Sequence, residues 1–242
     1  MTKILDYTPE IINLRRNVSI LDDCVNATTG GTFTHLVADS GSSIAVANAA
    51  GGVLTFTTGA TLNNECSRYS TESLFLPANN LPLAMEAREK FTENATNLMN
   101  VFVGFSSAFG ANLLVDSGAG PATSMSAVGF YKISASTTWN VLVSLGSTQT
   151  LVALTAANSK DKTLHTSGGG TYQKLKVEIN QISTTFAQVL FYIDDVLVYS
   201  IAEWTYTSVA QMGVGTYIKA GGSGGEVLSL DYLWAQQARI AA

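Results

Sequence analysis

The sequence predicts an all-β protein, built as a sandwich or a barrel, and three observations carry that prediction. Apolar residues recur with a period of two along most of the chain, which is the spacing of a strand with one buried face. Clusters of Gly, Asn, Asp, Ser and Pro separate these segments, and roughly fifteen segments can be counted, with no clear amphipathic helix. A chain of 242 residues suits one domain of this class. We therefore expect a short arm at residues 1–19, followed by one β-sandwich domain at residues 20–242.

Residues 1–19 differ in pattern from the rest of the chain. They mix Ile and Leu with charged residues, lack strand alternation and contain three of the thirteen basic residues. Their best helical stretch runs from Tyr7 to Arg16. Two interpretations stay open: the segment lies across its own sandwich, or it is an arm that contacts a neighbouring subunit. In the second case the contact residues are Lys3, Ile4, Leu5, Tyr7, Ile11, Ile12, Leu14, Arg15 and Arg16.

Three segments alternate so regularly that their faces can be assigned. Between Pro82 and Phe91 the two faces are Leu83, Met85, Ala87 and Phe91 against Glu86, Arg88 and Lys90. Between Lys174 and Ile179 the apolar face is Leu175, Val177 and Ile179. In the closing segment one face is expected to hold Leu228, Leu230, Tyr232 and Trp234.

Two further segments, Asn100 to Phe105 and Val189 to Ile193, are apolar on both faces. They are expected to be central strands that are buried on two sides. A hairpin is also predicted, because two strand-like segments flank Asp194 and Asp195. Asp tolerates the positive φ that a tight two-residue turn requires.

The composition excludes several classes of protein. Hydrophobic residues make up 46% of the chain, which is enough for a core and excludes a disordered chain. A net charge of −5 argues against a nucleic-acid partner, and no apolar run is long enough to span a membrane. The N-terminus lacks the pattern of a signal peptide, so synthesis in a cytoplasm is expected. Cys24 and Cys66 are expected to be reduced, buried thiols.

Charged residues make up only 13% of the chain, about half of the usual share. Such a surface is either built from Ser, Thr, Asn and Gly or partly covered by partners, and we expect both.

The motifs that would indicate an enzyme are weak. Gly221 to Gly225 matches the G-x-S-x-G pattern around Ser223, but a strand-like segment follows it where a nucleophile elbow needs a helix. His35 and His165 have no ligand neighbours at metal spacing, which argues against a catalytic triad or a zinc site.

The carboxylates give no catalytic pair either. Glu86 and Glu89 are three apart on one strand, so they take opposite faces. Glycoside hydrolysis needs two facing carboxylates, and only residues from distant strands could supply them. The loop residues Asp22, Asp23, Asp39 and Asp116 could bind calcium, but they show no known calcium-loop spacing. The sequence therefore predicts no catalysis, no metal and no cofactor.

Aromatic residues suggest one binding hypothesis. Aromatic rings stack on the apolar faces of sugars, and four residues could form such a platform: Trp139, Trp204, Tyr206 and Tyr217. Ordinary core packing is the alternative interpretation of the same residues.

Four groups of short motifs stand in a characteristic order along residues 20–236. They are Gly51–Ala60, Pro82–Arg88 followed by Val101–Phe105, Asp116–Pro121 leading into Ala127–Lys132, and Phe191–Val198 followed by Leu230–Trp234. With these motifs the chain resembles phage virion proteins whose body is a concanavalin-A-like (laminin-G-like) jelly roll. It departs from them at Asp194-Asp195, where the relatives usually have Asp-Gly.

The resemblance implies an antiparallel jelly-roll β-sandwich and the role of a decoration, or cement, protein on the head of a tailed phage. The expected partners are the major capsid protein and further copies of the chain, with a homotrimer favoured and a dimer as the alternative. The expected location is the capsid surface of the virion. Sugar-cleaving relatives carry a Glu-x-Asp-x-x-Glu strand, which this sequence lacks. The rival hypothesis is a lectin-like module of a phage particle that attaches to host glycans.

Overall fold

The computed structural model describes residues 17–47, 51–78, 81–92, 98–167 and 169–238. In these ranges the chain forms seventeen β-strands and no α-helix, which confirms the predicted all-β class. The strands are β1 (Asn17–Asp22), β2 (Phe33–Val37), β3 (Ser43–Ala47), β4 (Val53–Thr57), β5 (Glu65–Ser70), β6 (Leu83–Thr92), β7 (Met99–Ser106), β8 (Leu114–Val115), β9 (Gly120–Pro121), β10 (Ala127–Lys132), β11 (Asn140–Leu145), β12 (Thr148–Ala153), β13 (Gln173–Gln181), β14 (Phe186–Ile193), β15 (Val196–Thr205), β16 (Gly213–Ala220) and β17 (Val227–Ala238).

The expected arm falls mostly outside the described residues. The helical stretch at residues 7–16 lies there, as do all of the expected contact residues: Lys3, Ile4, Leu5, Tyr7, Ile11, Ile12, Leu14, Arg15 and Arg16. Residues 17–19 belong to strand β1.

Two antiparallel sheets face each other. The eight-stranded sheet has the order β15-β14-β13-β6-β17-β4-β3, and β1 pairs with β17 alongside β4. The seven-stranded sheet has the order β12-β11-β10-β7-β16-β5-β2. Strands that are neighbours in space are often distant in sequence, so the chain crosses repeatedly between the sheets. The predicted antiparallel sandwich is confirmed.

The core lies between the two sheets and is centred on aromatic rings. The ring centroid of Phe130 lies 5.4 Å from that of Phe191, with the two planes nearly perpendicular. Trp139 packs edge-on against Phe91 and Phe130, with centroid distances of 6.0 and 6.2 Å. Edge-to-face contacts of this kind are the favoured arrangement of aromatic rings.

The predicted alternation of β6 and β13 is confirmed, because their apolar faces are buried against the core. Strand β7 is buried on both faces and is central in the seven-stranded sheet, as expected for Asn100 to Phe105. The same prediction is wrong for Val189 to Ile193. Strand β14 is next to the edge of its sheet, and its burial alternates from residue to residue, because only one of its faces meets the core.

A β-bulge corrects the predicted faces of β17. The pairing with β6 shifts register between Leu230 and Tyr232, which inserts one extra residue into β17. Leu228 and Leu230 face the core, and after the bulge Leu233 does so. Tyr232 and Trp234, which strict alternation places with Leu228 and Leu230, therefore point to the outside of the sheet.

A covering segment, residues 107–126, lies over the outer side of the seven-stranded sheet. It includes β8 and β9, and its apolar side chains form a second core with those of the sheet: Phe102, Leu113, Leu114, Met125, Ala127, Tyr131, Leu142 and Tyr217. Beneath it, Gly104 pairs with Gly129 on one side and Gly215 on the other. A Cβ on Gly104 would come within 2.4 Å of the Val128 carbonyl oxygen, so only glycine fits there.

A buried polar network fixes the covering segment to the sheet. The ammonium of Lys219 on β16 lies 3.3 Å from Glu65 Oε2 on β5 and 2.5 Å from Asp116 Oδ1 in the segment. It also donates to Asn112 Oδ1 at 2.7 Å. The hydroxyl of Tyr217 donates to the Glu65 carboxylate. Since Lys219 is fully buried, these contacts replace its water shell.

The hairpin predicted around Asp194 and Asp195 is confirmed. Both residues have positive φ, 49° and 67°, between β14 and β15. Positive φ at both central positions is the signature of a type I′ turn, which suits the twist of a hairpin.

Replacing Asp195 with glycine is expected to raise the free energy of unfolding by about 1 kcal/mol, because glycine adopts this φ without strain. The ion pair of Asp195 with Lys174 is lost, but it is largely exposed and contributes little. Urea denaturation measures the change. Asp194→Gly is the matched control. The Asp194 carboxylate accepts a hydrogen bond from the Lys174 amide at 2.9 Å, and the loss of this bond should cancel the stabilisation gained from the relaxed φ. Equal stabilisation by both variants would contradict this account.

Cys24 and Cys66 are both free and buried, as predicted. Burial raises the pKa of each thiol to about 12. Both therefore remain protonated and unreactive at neutral pH.

Candidate functional site

The outer face of the eight-stranded sheet is the open surface of the sandwich. The register aligns one residue from each of five strands into a row: Leu21, Trp234, Glu86, Lys176 and Tyr192. The next row contains Gln236, Ala84 and Glu178. No segment comparable to residues 107–126 covers these rows in the described part of the chain, so their side chains are half-exposed.

A shallow groove of about 560 Å³ runs across these rows. Ala84 is the smallest residue of its lining and leaves space between the larger side chains. We call this feature the outer groove, and its lining is Leu21, Ala84, Glu86, Lys176, Glu178, Tyr232, Trp234 and Gln236.

Two carboxylates of the outer groove are held by phenol hydroxyls. Tyr232 donates to Glu86 Oε1 at 2.6 Å, and Tyr192 donates to Glu178 Oε2 at 3.3 Å. Burial and the bond to Glu86 raise the pKa of Tyr232 above its usual range. The ammonium of Lys176 lies 2.6 Å from Glu178 Oε1, and that bond raises the pKa of Lys176. The acceptor oxygens are therefore fixed in position before any ligand arrives.

Cations and an aromatic ring lie beside the outer groove. The guanidinium of Arg88 is 4.3 Å and the ammonium of Lys90 is 4.8 Å from the ring centroid of Tyr172. Arg88 also pairs with Asp231 at 2.5 Å. Charged residues are scarce in this protein, yet charges of both signs are concentrated on this face.

The outer face carries four half-exposed aromatic residues, none of which belongs to the predicted aromatic platform: Tyr172, Tyr192, Tyr232 and Trp234. For Tyr232 and Trp234 the reason is the bulge in β17, which moves them to the face opposite the one that strict alternation predicts. A signal was present in the sequence: the apolar phase changes after Asp231, where Leu233 and Ala235 take over from Leu228 and Leu230.

The four aromatic residues that were selected do not form an exposed platform. Trp139 and Tyr217 are 0% exposed, Tyr206 is 5% and Trp204 is 8% exposed. Their polar atoms have interior partners: Trp139 Nε1 donates to Gln173, and the Tyr206 hydroxyl donates to the Ser183 carbonyl at 2.7 Å. Trp139 lies in the main core and Tyr217 under the covering segment, so the four share no surface. Core packing was the alternative interpretation, and it holds.

The other candidate residues have ordinary roles. Ser223 lies in the loop between β16 and β17, with a strand and not a helix after it. His165 contacts Asp161 at 3.0 Å, and burial lowers the pKa of His35. Among the described residues no three His, Cys, Asp or Glu side chains are grouped to hold a metal. Those ranges contain no helix that is long and apolar enough to cross a membrane.

Three of the aspartates considered as calcium ligands have hydrogen-bond or ion-pair partners within the protein. Asp22 pairs with Arg68 at 2.7 Å, and Asp39 accepts from the Glu65 amide at 2.8 Å. Asp116 pairs with Lys219.

The carboxylates of β6 take opposite faces, as predicted: Glu89 is buried in the core and Glu86 lines the outer groove. The structure brings Glu86 into one groove with Glu178 from β13, a strand distant in sequence.

Comparison with solved structures places the fold among concanavalin-A-like, lectin-like jelly rolls. An endo-1,3-β-glucanase from Streptomyces sioyaensis is similar, with a TM-score of 0.61 and 12% identity over 93% of this chain and 97% of that one. Peanut lectin has a TM-score of 0.58 and 11% identity, over 93% and 99%. A protein of unknown function from Shewanella oneidensis MR-1 has a TM-score of 0.63 and 13% identity, over 97% and 95%. No protein-family model matches the sequence, and no curated protein matches it.

The chain is thus a jelly-roll β-sandwich of the concanavalin-A-like class. Its structural neighbours include both lectins and enzymes that act on polysaccharides. At these identities the likeness establishes the fold alone.

Proposed function

We propose that this chain is a lectin-like, non-enzymatic module of a phage particle that binds a host glycan in the outer groove. The observation that carries the proposal is the combination found there: Trp234 and Tyr232 are half-exposed beside the fixed oxygens of Glu86 and Glu178. Aromatic faces stack on the C–H face of a pyranose, and carboxylate oxygens accept bonds from sugar hydroxyls. Ligand sites usually combine apolar surface with a few fixed polar groups in this way.

The test is binding of the purified chain to an array of bacterial surface glycans, followed by titration of the best ligand. Trp234→Ala should weaken binding at least tenfold, because tryptophans at the centre of a site supply much of the binding energy. The matched control is Phe186→Ala, which removes an aromatic ring that is 37% exposed and lies outside the outer groove. Equal affinities of Trp234→Ala and wild type would show that the groove is not the site.

The same titration decides whether the module is an enzyme. Glu86 and Glu178 share the groove, and two carboxylates can cleave a glycosidic bond when they face each other across it. We expect no release of reducing sugar from the bound glycan during prolonged incubation. Release that is abolished in Glu86→Gln would replace the lectin-like proposal with a glycosidase.

A second candidate function is the decoration of a phage capsid. The order of the virion-type motifs supports it, and so do two apolar side chains that are widely exposed near β1, Leu21 (56%) and Val25 (65%). Under this proposal the chain should co-sediment with expanded capsids, and deletion of residues 1–16 should abolish that binding. Glycan binding should survive the same deletion.

A further inference from the structure

Strand β12 is an edge of the seven-stranded sheet, and its outward main-chain groups can be identified. Leu154 N donates to Trp139 O at 2.9 Å, so even-numbered residues of this strand bond inward to β11. Hydrogen bonding alternates along an antiparallel strand. The amide and carbonyl groups of Gln149 and Leu151 therefore point away from the sheet. Within the described ranges, neither residue has a main-chain bond on that side.

At Gln149 and Leu151 the edge of β12 lacks the devices that usually protect an edge strand; only the Ala153 carbonyl at its end accepts bonds from the following segment, from Thr155 N and Asn158 Nδ2. Charged side chains, proline, a bulge or a covering loop normally prevent such an edge from pairing with another strand. The edge strand of the other sheet, β15, has two of these devices at Val198: a bulge interrupts the strand there, and Lys160 N donates to Val198 O at 2.8 Å. In contrast, the sequence from residue 133 to residue 159 contains no charged residue and no proline. Leu151 is 46% exposed.

This edge is also fixed in place. Strand β12 pairs with β11 over all of its six residues without a register shift, and a two-residue turn joins the two strands. The side chain of Gln149 donates to the Ala122 carbonyl at 2.6 Å and so ties the edge to the covering segment. A preformed edge of this kind loses little conformational freedom when it binds another strand.

We propose that β12 pairs antiparallel with β12 of a second copy of this chain, about a two-fold axis at Thr150. The register follows from the outward groups. Gln149 of one copy exchanges main-chain bonds with Leu151 of the other, and the Thr150 residues of the two copies face each other. The same edge supplies matching donors and acceptors to itself, which is what a two-fold interface requires. Each copy has a net charge of −5, and the uncharged stretch lets two copies approach without repulsion at the contact. Two seven-stranded sheets become one continuous sheet.

The proposal is tested by the mass of the full chain in solution, measured by sedimentation as a function of concentration. Wild type should approach twice 25.5 kDa, and Leu151→Lys should remain a monomer with an unchanged circular dichroism spectrum. The matched control is Val46→Lys on the edge strand β3, where the side chain is similarly exposed at 43%. This variant should keep the mass of wild type.

Crosslinking tests the register. Facing residues in a pair without main-chain bonds have Cα atoms about 4.5 Å apart, which is within the range that a disulfide spans. Thr150→Cys should therefore give a covalent dimer on a non-reducing gel, whereas wild type should not, because Cys24 and Cys66 are buried. A monomeric wild type, a trimer, or a dimer that persists in Leu151→Lys would overturn the proposal. A dimer that Thr150→Cys fails to crosslink would do the same.

Discussion

Glu89→Gln is expected to stabilise the protein strongly at pH 8 and hardly at all at pH 5. The Glu89 carboxyl is 1% exposed, and neither of its oxygens has a hydrogen-bond partner among the described residues. On its own sheet it lies between Leu230 and Gln173. On the facing sheet, Lys132 donates to Met99 O at 2.7 Å, and its ammonium lies 6.0 Å from the ring centroid of Phe91.

The size of the effect follows from proton linkage. Burial raises the pKa of Glu89 from 4.5 to about 8 in the folded state. Between these two values the unfolded chain has lost the proton and the folded chain has kept it, so stability falls as pH rises. The slope is about 1.4 kcal/mol per pH unit, and the total loss between pH 5 and pH 8 is on the order of 4 kcal/mol. Glutamine cannot ionise, so it removes this loss.

Urea denaturation at pH 5 and pH 8 measures both quantities. Glu203→Gln, at an exposed position on β15, is the matched control and should leave the pH dependence of wild type unchanged. If Glu89→Gln loses stability between pH 5 and pH 8 as steeply as wild type does, Glu89 is not the group responsible.

Lys219→Met is expected to destabilise the protein by about 3–5 kcal/mol, the usual cost of removing one partner from a buried ion pair. The change leaves the Glu65 carboxylate without its ammonium beneath the covering segment. It also removes the contacts that bind Asp116 and Asn112 to the sheet. We therefore expect the effect to be concentrated in residues 107–126.

Hydrogen exchange of the backbone amides, measured segment by segment, tests this prediction. The amides of the covering segment should exchange faster in Lys219→Met, while those of β6 and β13 in the other sheet keep their protection. The double variant Lys219→Met/Glu65→Gln should recover part of the stability, because no unpaired charge remains buried. Asp116→Asn is the milder control, since the Asp116 side chain is half-exposed. Uniformly faster exchange in both sheets would show that the network does not act on this segment in particular.

The fold class, the faces of β6 and β13 and the Asp194-Asp195 turn could be predicted because each depends on local periodicity or on the φ preference of single residues. The bulge in β17 could not be located by strict alternation, and that one inserted residue changed the faces of Tyr232 and Trp234. The candidate site was missed for this reason. A site assembled from β1, β6, β13, β14 and β17 depends on register between strands that are far apart in sequence, and periodicity within one strand carries no information about it.

The aromatic residues illustrate the same limit. Trp139 and Trp234 are both tryptophans in strand-like segments, yet one is fully buried in the core and the other lines the outer groove. What separates them is the number of residues since the last bulge and the position of the strand in its sheet. Neither quantity can be obtained from amino-acid type.

Strand β17 pairs with β6 on one side and with both β4 and β1 on the other. During synthesis it emerges from the ribosome after the other described strands, so the eight-stranded sheet cannot close before β17 has been made. Contacts between such distant segments make folding slow, because a long loop must close before its contacts form. Until β17 pairs with them, β1, β4 and β6 each have an unpaired edge exposed to solvent. A chain that lacks β17 therefore exposes strand edges that can pair with other chains.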